Sequence, residues 1–173
     1  MEEIRNAIRN VPDFPKPGIL FKDITPLLQD PKLGKKIISA FETKLRNVQV
    51  DAILGVESRG FLFGYMLALQ LNVPFVPVRK SGKLPWKTIG AEYALEYGTA
   101  KIEMHADALR PGMKVVIHDD LLATGGTAAA AAKITQMMKA EVSAFAFVVE
   151  LGFLNGREAI SPYSAQIESL VIF

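Results

Sequence analysis

Apolar residues follow two spacings along this chain, and these spacings predict alternating strands and helices. Short β-branched runs, such as Val115 to Ile117, are typical of buried strands. Apolar residues four apart from Leu33 to Leu45 are typical of an amphipathic helix, and Asp30-Pro31 is a favourable start for it. The predicted strands are residues 52–56, 75–78, 115–120, 142–151 and 167–173, and the predicted helices are residues 2–9, 31–45, 61–71 and 127–139.

Other segments interrupt this alternation. The proline-rich residues 12–18 do not suit a regular helix or a central strand, and Thr25-Pro26 ends the short apolar run that follows them. Residues 79–90 are polar, contain glycine and show no periodicity, whereas residues 93–103 have the pattern of a β-hairpin around Tyr97-Gly98-Thr99. The helix at 61–71 is so apolar that we expect it to be buried.

Strands that alternate with helices predict an α/β fold with a largely parallel sheet and right-handed crossovers. Ligands of such sheets bind beyond the carboxyl ends of the strands. Three polar segments, residues 57–60, 79–83 and 119–127, each follow a predicted strand. We therefore expect them to share one rim of the sheet and to form one site.

Composition narrows the class of protein. The 173 residues, half of them hydrophobic, predict a single domain over residues 1–173. A net charge of +2 is too small to indicate nucleic-acid binding, and the lack of cysteine excludes thiol chemistry and fits a reducing compartment. The N-terminal residues lack the apolar core of a secretory signal, and no apolar stretch reaches the roughly 20 residues of a membrane span. We expect a cytoplasmic protein with no nucleic-acid or membrane partner.

Residues 114–127, KVVIHDDLLATGGT, contain the most informative pattern: a strand, two adjacent acids, a turn of small residues and the start of a helix. Backbone N–H groups and the helix dipole favour an anion at such a helix start. Two carboxylates just upstream do not suit a bare anion, but they suit a sugar phosphate whose hydroxyls donate hydrogen bonds to them. The alternative is a plain strand–turn–helix joint with an Asp-capped entry.

This stretch resembles the phosphoribosyl-diphosphate signature of the type I phosphoribosyltransferases. The resemblance implies that Asp119 and Asp120 hold the 2′ and 3′ hydroxyls of the ribose. It also implies that the turn wraps the 5′-phosphate, with glycines that let the backbone approach and threonines that add hydroxyl donors. The turn residues are Ala123, Thr124, Gly125, Gly126 and Thr127.

Two further segments are similar to the diphosphate-binding parts of that family. Cleavage of an anomeric C–O bond leaves positive charge on the ribose and negative charge on the diphosphate, so cations at the leaving oxygens are stabilising. The cations expected there are Arg79 and Lys83, on a mobile β-hairpin cover at about 79–98. The alternatives are a solvated charge cluster at 79–83 and, at 57–60, a turn with an exposed Arg–Glu pair. By resemblance the diphosphate loop consists of Glu57, Ser58, Arg59 and Gly60.

Residues 14–26, RKSGKLP at 79–85, LEYG at 95–98 and NGRE at 155–158 resemble the adenine-specific members, the adenine phosphoribosyltransferases of purine salvage. The resemblance implies the type I fold, a mainly parallel sheet flanked by helices, with a small N-terminal hood at about 10–30. It implies the substrates adenine and phosphoribosyl diphosphate, the products AMP and diphosphate, Mg²⁺ carried by the substrate without direct protein ligands, and a homodimer. Glu96 falls at the position of the general acid. The expected adenine contacts are Leu20, Phe21, Lys22 and Leu122.

Other functions stay open at this point. The same chemistry on another purine or pyrimidine base is the nearest alternative, although the hood segment disfavours it. Relatives often carry Arg where this chain has Lys22, and a guanidinium stacks on a base better than an ammonium does. A non-catalytic regulator that senses the sugar diphosphate would need a DNA-binding segment or a broad basic face. A P-loop nucleotidase is disfavoured because the turn lacks the Gly-Lys-Ser/Thr ending.

Overall fold

A seven-stranded sheet forms the centre of the fold. The computed structural model describes residues 1–94 and 99–173, with Ala94 described by its backbone alone. The strands are β1 (Arg9–Pro12), β2 (Leu20–Asp23), β3 (Ala52–Val56), β4 (Phe75–Lys80), β5 (Thr88–Ala94), β6 (Thr99–His105), β7 (Lys114–Leu122), β8 (Glu141–Glu150) and β9 (Ile167–Ile172). The helices are α1 (Glu2–Ala7), α2 (Thr25–Gln29), α3 (Pro31–Lys44), α4 (Gly60–Leu71), α5 (Gly126–Met137) and α6 (Gly156–Ile160), with a 3₁₀ helix at Gly152–Leu154.

The strand order in the sheet is β5-β6-β4-β3-β7-β8-β9. The five strands from β4 to β9 in this order are parallel, and β6 and β5 extend one edge as antiparallel strands. The expected largely parallel sheet is therefore confirmed. The carboxyl ends of β3, β4 and β7 are neighbours, so the residues that follow these strands share one rim.

Alternate residues of the central strands pack into two apolar layers, one on each face of the sheet. In β3, Leu54 belongs to the layer that contains α5, whereas Ile53 belongs to the layer that contains α3 and α4. In β7, Ile117 and Val116 divide in the same way. This period of two is what a strand covered on both faces requires.

The start of α3 confirms the sequence pattern. The Asp30 carboxylate accepts the backbone N–H groups of Lys32 at 2.8 Å and Leu33 at 3.4 Å, and Pro31 takes the first turn, where an N–H is not needed. Ile37 and Phe41 are fully buried on the expected face.

Local structure departs from the sequence expectations at three places. The helix predicted at 2–9 is present but ends at Ala7, because Arg9–Pro12 pairs with Leu20–Asp23 in a separate two-stranded ribbon. Residues 79–90 are not irregular throughout, since β4 reaches Lys80 and β5 begins at Thr88 by pairing with β6. Helix α4 is not buried all round, because one side of it, at Leu62, Tyr65, Met66 and Leu69, is exposed.

The predicted hairpin is present in its paired strands. The two strands β5 and β6 are antiparallel over their length, and Ala94 is opposite Thr99. The tip at 95–98 lies outside the described residues. The ribbon of β1 and β2, followed by α2, occupies the segment expected to form the hood, and its turn contains a cis peptide bond between Phe14 and Pro15.

Candidate active site

The two adjacent acids lie near the carboxyl end of β7, on the rim of the sheet. The Asp120 side chain is buried, with 3% of the residue exposed, and its backbone N–H donates to Oδ1 of Asp119 at 2.8 Å. Burial, together with the neighbouring Asp120 carboxylate, raises the pKa of Asp119 well above its usual range. Burial also raises the pKa of Asp120, although the Arg59 guanidinium opposes this. The pair, with Asp120 buried and Asp119 half-buried, is therefore an acidic site that favours hydrogen-bond donors and cations.

Arg59 joins the loop after β3 to this acidic pair. Its Nε lies 3.0 Å from Oδ2 of Asp120, and its guanidinium carbon lies 5.3 Å from the centre of the Phe21 ring in the hood. The expected alternative, an exposed pair between Arg59 and Glu57, is wrong, because each of the two has a different partner. One guanidinium thus contacts both the predicted ribose site and the predicted base site.

Glu57 and Arg79 connect the loop after β3 to the end of β4. Oε2 of Glu57 accepts Nε of Arg79 at 3.1 Å and the backbone N–H of Lys80 at 3.1 Å. The hydrogen bond from Arg79 lowers the pKa of the Glu57 carboxyl. Arg79 also donates through Nη1 to the backbone oxygen of Lys83 at 3.0 Å, whereas the Lys83 side chain is exposed. The predicted diphosphate residues are therefore brought together.

The loop at 57–60 packs directly against β7. A Cβ added at Gly60 would lie 2.8 Å from Oδ1 of Asp119 and 2.9 Å from the backbone oxygen of His118, so only glycine fits there. The peptide bond between Glu57 and Ser58 is cis.

The turn between β7 and α5 surrounds a small cavity. The cavity has a volume of about 80 Å³ and is lined by Asp119, Leu121, Leu122, Ala123, Thr124, Gly125, Gly126, Thr127 and Ala128. Gly125 has φ +81°, and a Cβ there would lie 2.4 Å from the backbone oxygen of Gly156. A Cβ at Gly156 would in turn lie 2.2 Å from the backbone oxygen of Ala123. The start of α6 therefore supports the turn by backbone-to-backbone contact.

In the hood, the apolar residues Leu20 and Phe21 have different surroundings from the basic residue Lys22. Leu20 is half exposed, and Phe21 faces Arg59. The ammonium of Lys22 donates to Oδ1 of Asn10 at 2.7 Å and lies 3.7 Å from the centre of the Phe173 ring. Burial, with a smaller effect of Arg5, lowers the pKa of Lys22. The Lys22 side chain thus anchors the hood to the last residue of the chain.

Comparison with known proteins shows the family. The profile of the phosphoribosyl transferase domain matches residues 23–159. The adenine phosphoribosyltransferase of Cytophaga hutchinsonii is 52% identical over 170 residues, which cover 98% of this chain and 94% of that protein. The chain belongs to the adenine phosphoribosyltransferase family.

Solved structures of this family are similar over the whole length. The protein from Thermoanaerobacter pseudethanolicus has a TM-score of 0.96 at 50% identity and covers 99% of both chains. The Saccharomyces cerevisiae enzyme, solved with an imino-altritol bisphosphate and adenine, has a TM-score of 0.92 at 44% identity and covers 98% of this chain and 97% of that one. These likenesses confirm the type I phosphoribosyltransferase fold and the family recognised from the sequence.

Sequence reasoning missed several polar residues that support the site. Glu103 is buried in β6 and accepts hydrogen bonds from the connection between β4 and β5. Glu150 accepts Nε and Nη2 of Arg157, each at 2.8 Å, beside the start of α6, and these hydrogen bonds lower the pKa of Glu150. Glu103 gave no sequence signal, because an acid between Ile102 and Met104 is the ordinary alternation of a half-buried strand.

Leu122 is buried in the apolar layer that contains α5, so its contact with adenine stays a prediction. Glu96 lies outside the described residues. His118 packs edge-to-face on Phe41, with ring centres 5.4 Å apart, and burial lowers its pKa to about 4, so it is a neutral core residue. Among the described residues no helix is long and apolar enough to cross a membrane.

Proposed function

We propose that this chain transfers the 5-phosphoribosyl group from phosphoribosyl diphosphate to adenine, giving AMP and diphosphate in purine salvage. One observation carries the proposal: an acidic pair and a glycine-lined turn lie on a single strand–turn–helix unit of a chain that belongs to the adenine phosphoribosyltransferase family. The first suits ribose hydroxyls and the second suits a phosphate.

Asp119 and Asp120 accept hydrogen bonds from the ribose hydroxyls. Their raised pKa values indicate that the ionised pair needs donors: Arg59 forms an ion pair with Asp120, but Oδ2 of Asp120 accepts no hydrogen bond from the described residues. The hydroxyls compete with Arg59 for the oxygens of Asp120, which releases the guanidinium for the diphosphate. The backbone N–H groups of the turn at 123–127 hold the 5′-phosphate.

The loop at 57–60, Arg79 and Lys83 bind the diphosphate. The bond between ribose C1 and the diphosphate oxygen breaks, and its electron pair leaves with the diphosphate, where cations stabilise the new charge. Adenine N9 forms the new bond to C1 and loses its proton. The N9 proton passes to Glu96, which relays it to solvent.

Adenine binds between the hood and the rim of the sheet. The support for this is the Phe21 ring beside Arg59 and the exposed Leu20 in β2. Backbone groups at Leu20 and Lys22 read the amine and the ring nitrogen of the base, Phe21 stacks on it, and Leu122 closes the apolar side.

The diphosphate would carry Mg²⁺ into the site. Among the described residues no group of three or more His, Asp or Glu side chains could hold the ion, which fits an ion that the substrate brings. When bound, the ion neutralises charge on the diphosphate and makes it a better leaving group. The cytoplasmic location expected from the sequence stays a prediction.

The purified chain is expected to form AMP from adenine and phosphoribosyl diphosphate when Mg²⁺ is present, and to lose this activity when the metal is chelated. A site built to pair with the adenine amine leaves polar groups unpaired when hypoxanthine binds, so we expect a preference for adenine of at least about a hundredfold in kcat/KM. Nucleotide formation is followed by chromatography. Faster turnover of hypoxanthine would contradict the base assignment, and a chain that makes no nucleotide would contradict the reaction.

We further propose that the chain forms a homodimer through the exposed side of α4. Leu62, Tyr65, Met66 and Leu69 lie on one side of this helix and remain exposed by 40–63%. A contiguous apolar surface of this kind is typical of an interface, and a second copy of the chain covers it.

Replacing Met66 with glutamate is expected to shift the molecule in solution from two chains to one, because a charge at this interface must be desolvated. Light scattering coupled to gel filtration measures the mass. The matched control is Met137→Glu, which places the same change at a half-exposed position on α5, on the other face of the sheet. Wild-type protein at the mass of one chain, or both variants dimeric, would reject this interface.

A further inference from the structure

The connection between β4 and β5 contains one of the two proposed leaving-group cations. It runs from Ser81 to Lys87 and includes Lys83 and the single tryptophan, Trp86, which is 64% exposed. Both flanking strands pair with β6, so β6 lies between the two ends of the connection. Any residue of β6 that contacts both ends controls where the connection lies.

Glu103 is the residue of β6 that does so. Its Oε1 accepts the backbone N–H of Gly82 at 2.9 Å. Its Oε2 accepts the hydroxyl of Thr88 at 3.2 Å and that of Ser81 at 3.4 Å. Ser81 and Gly82 open the connection and Thr88 follows its end, so one carboxylate holds both ends.

These hydrogen bonds are important because Glu103 is buried. Only 6% of the residue is exposed, and a buried carboxylate is costly unless its oxygens are paired. No ion pair of Glu103 occurs among residues 1–94 and 99–173, and its three donors are neutral groups of the connection and of Thr88. Opening the connection would therefore remove the hydrogen bonds that Ser81 and Gly82 donate to this carboxylate.

Arg79, which forms a hydrogen bond with Glu57, also holds the connection. Arg79, directly opposite Glu103 in the strand register, donates to the backbone oxygen of Lys83. Glu103 thus holds Gly82, the residue before Lys83, and Arg79 holds the backbone oxygen of Lys83 itself. Its backbone is fixed while its side chain stays exposed.

We propose that Glu103 is a positioning residue that fastens both ends of this connection and so sets Lys83 over the diphosphate. The inference rests on the proposed function, because it needs Lys83 to meet the leaving group. Glu103 itself contacts the connection and not the substrate.

The Glu103→Ala variant is expected to raise KM for phosphoribosyl diphosphate about tenfold, because Lys83 is no longer held where the diphosphate binds. KM for adenine is expected to change by less than about twofold. The fluorescence anisotropy of Trp86 without ligand should fall, since the connection gains freedom. Glu103→Gln keeps an acceptor for Gly82, so its KM for phosphoribosyl diphosphate should rise much less than that of Glu103→Ala.

The matched control is Asp107→Ala, which removes an exposed carboxylate just beyond the end of β6. It should leave both KM values and the anisotropy unchanged. If Glu103→Ala does not fold, Glu103→Asp takes its place, because a side chain one methylene shorter cannot hold both ends.

The outcomes separate the two proposals. If wild-type protein forms AMP but the Glu103 variants keep the KM for phosphoribosyl diphosphate and the anisotropy, this inference fails alone. Equal increases in both KM values would indicate a general loss of structure and would also overturn it. If wild-type protein forms no nucleotide, the proposed function fails first and this inference with it.

Discussion

Asp120→Asn is expected to lower kcat/KM for phosphoribosyl diphosphate by about a hundredfold. The variant keeps the shape of the side chain but removes the charge and one acceptor, and hydrogen bonds to a charged group contribute about 1.5–3 kcal/mol each. At about 1.4 kcal/mol for each factor of ten, the loss of one such bond and a weakened second one gives this magnitude. Steady-state kinetics with both substrates varied measures it.

The same substitution is not expected to lower the thermal midpoint of unfolding. Burial raises the pKa of Asp120, so its ionised form is unfavourable in the folded protein, and Arg59 is exposed enough to be hydrated once its partner is gone. Asp120→Asn should therefore lower activity without lowering stability, as is common at functional sites.

A control at the opposite end of the same strand sharpens this test. Oδ2 of Asp51 accepts the backbone N–H of Lys114 at 2.7 Å, at the start of β7. Asp51→Asn should lower stability and leave the kinetics unchanged. Unaltered binding of phosphoribosyl diphosphate by Asp120→Asn would remove Asp120 from the site.

Gly125→Ala is expected to weaken binding of phosphoribosyl diphosphate by at least about a hundredfold and to destabilise the fold. The added methyl group would lie 2.4 Å from the backbone oxygen of Gly156, so the turn or α6 must move. The left-handed backbone at φ +81° adds a further cost of about 1–2 kcal/mol for a residue with a Cβ. Ligand titration followed by Trp86 fluorescence and thermal unfolding measure the two effects.

Gly112→Ala separates the two causes. Gly112 has nearly the same backbone, φ +83°, but nothing lies within 4 Å of its added Cβ. This variant should show the cost of the backbone alone, with binding intact. Equal loss of binding in both variants would show that contact with α6 does not shape the turn.

The sequence predicted those parts of the fold whose cause is local. The apolar run of β3 and the Asp30 cap of α3 needed no distant partner, and both appear as expected. The acids and the turn were also recognisable, because the pattern of strand, acids, glycines and helix is contiguous.

The remaining parts depend on residues far apart in the chain. Arg59 pairs with Asp120, 61 positions later, and the sequence could not predict this partner because Glu57, two residues before Arg59, was the nearer candidate. Residues 79 and 80 are strand because β4 pairs with β6 there, with Arg79 opposite Glu103 in the register. Helix α4 was expected to be buried because its composition is apolar, but composition does not distinguish a core helix from a helix with one exposed apolar side.

The contact between Gly125 and Gly156 has a consequence for how the molecule is made. The turn for the sugar phosphate packs against the backbone of Gly156, about 30 residues later in the chain. The ribosome must therefore synthesise the chain beyond α6 before the turn can make this contact. Truncated products that end before this point would contain every residue of the KVVIHDDLLATGGT segment and still lack the backing that shapes it.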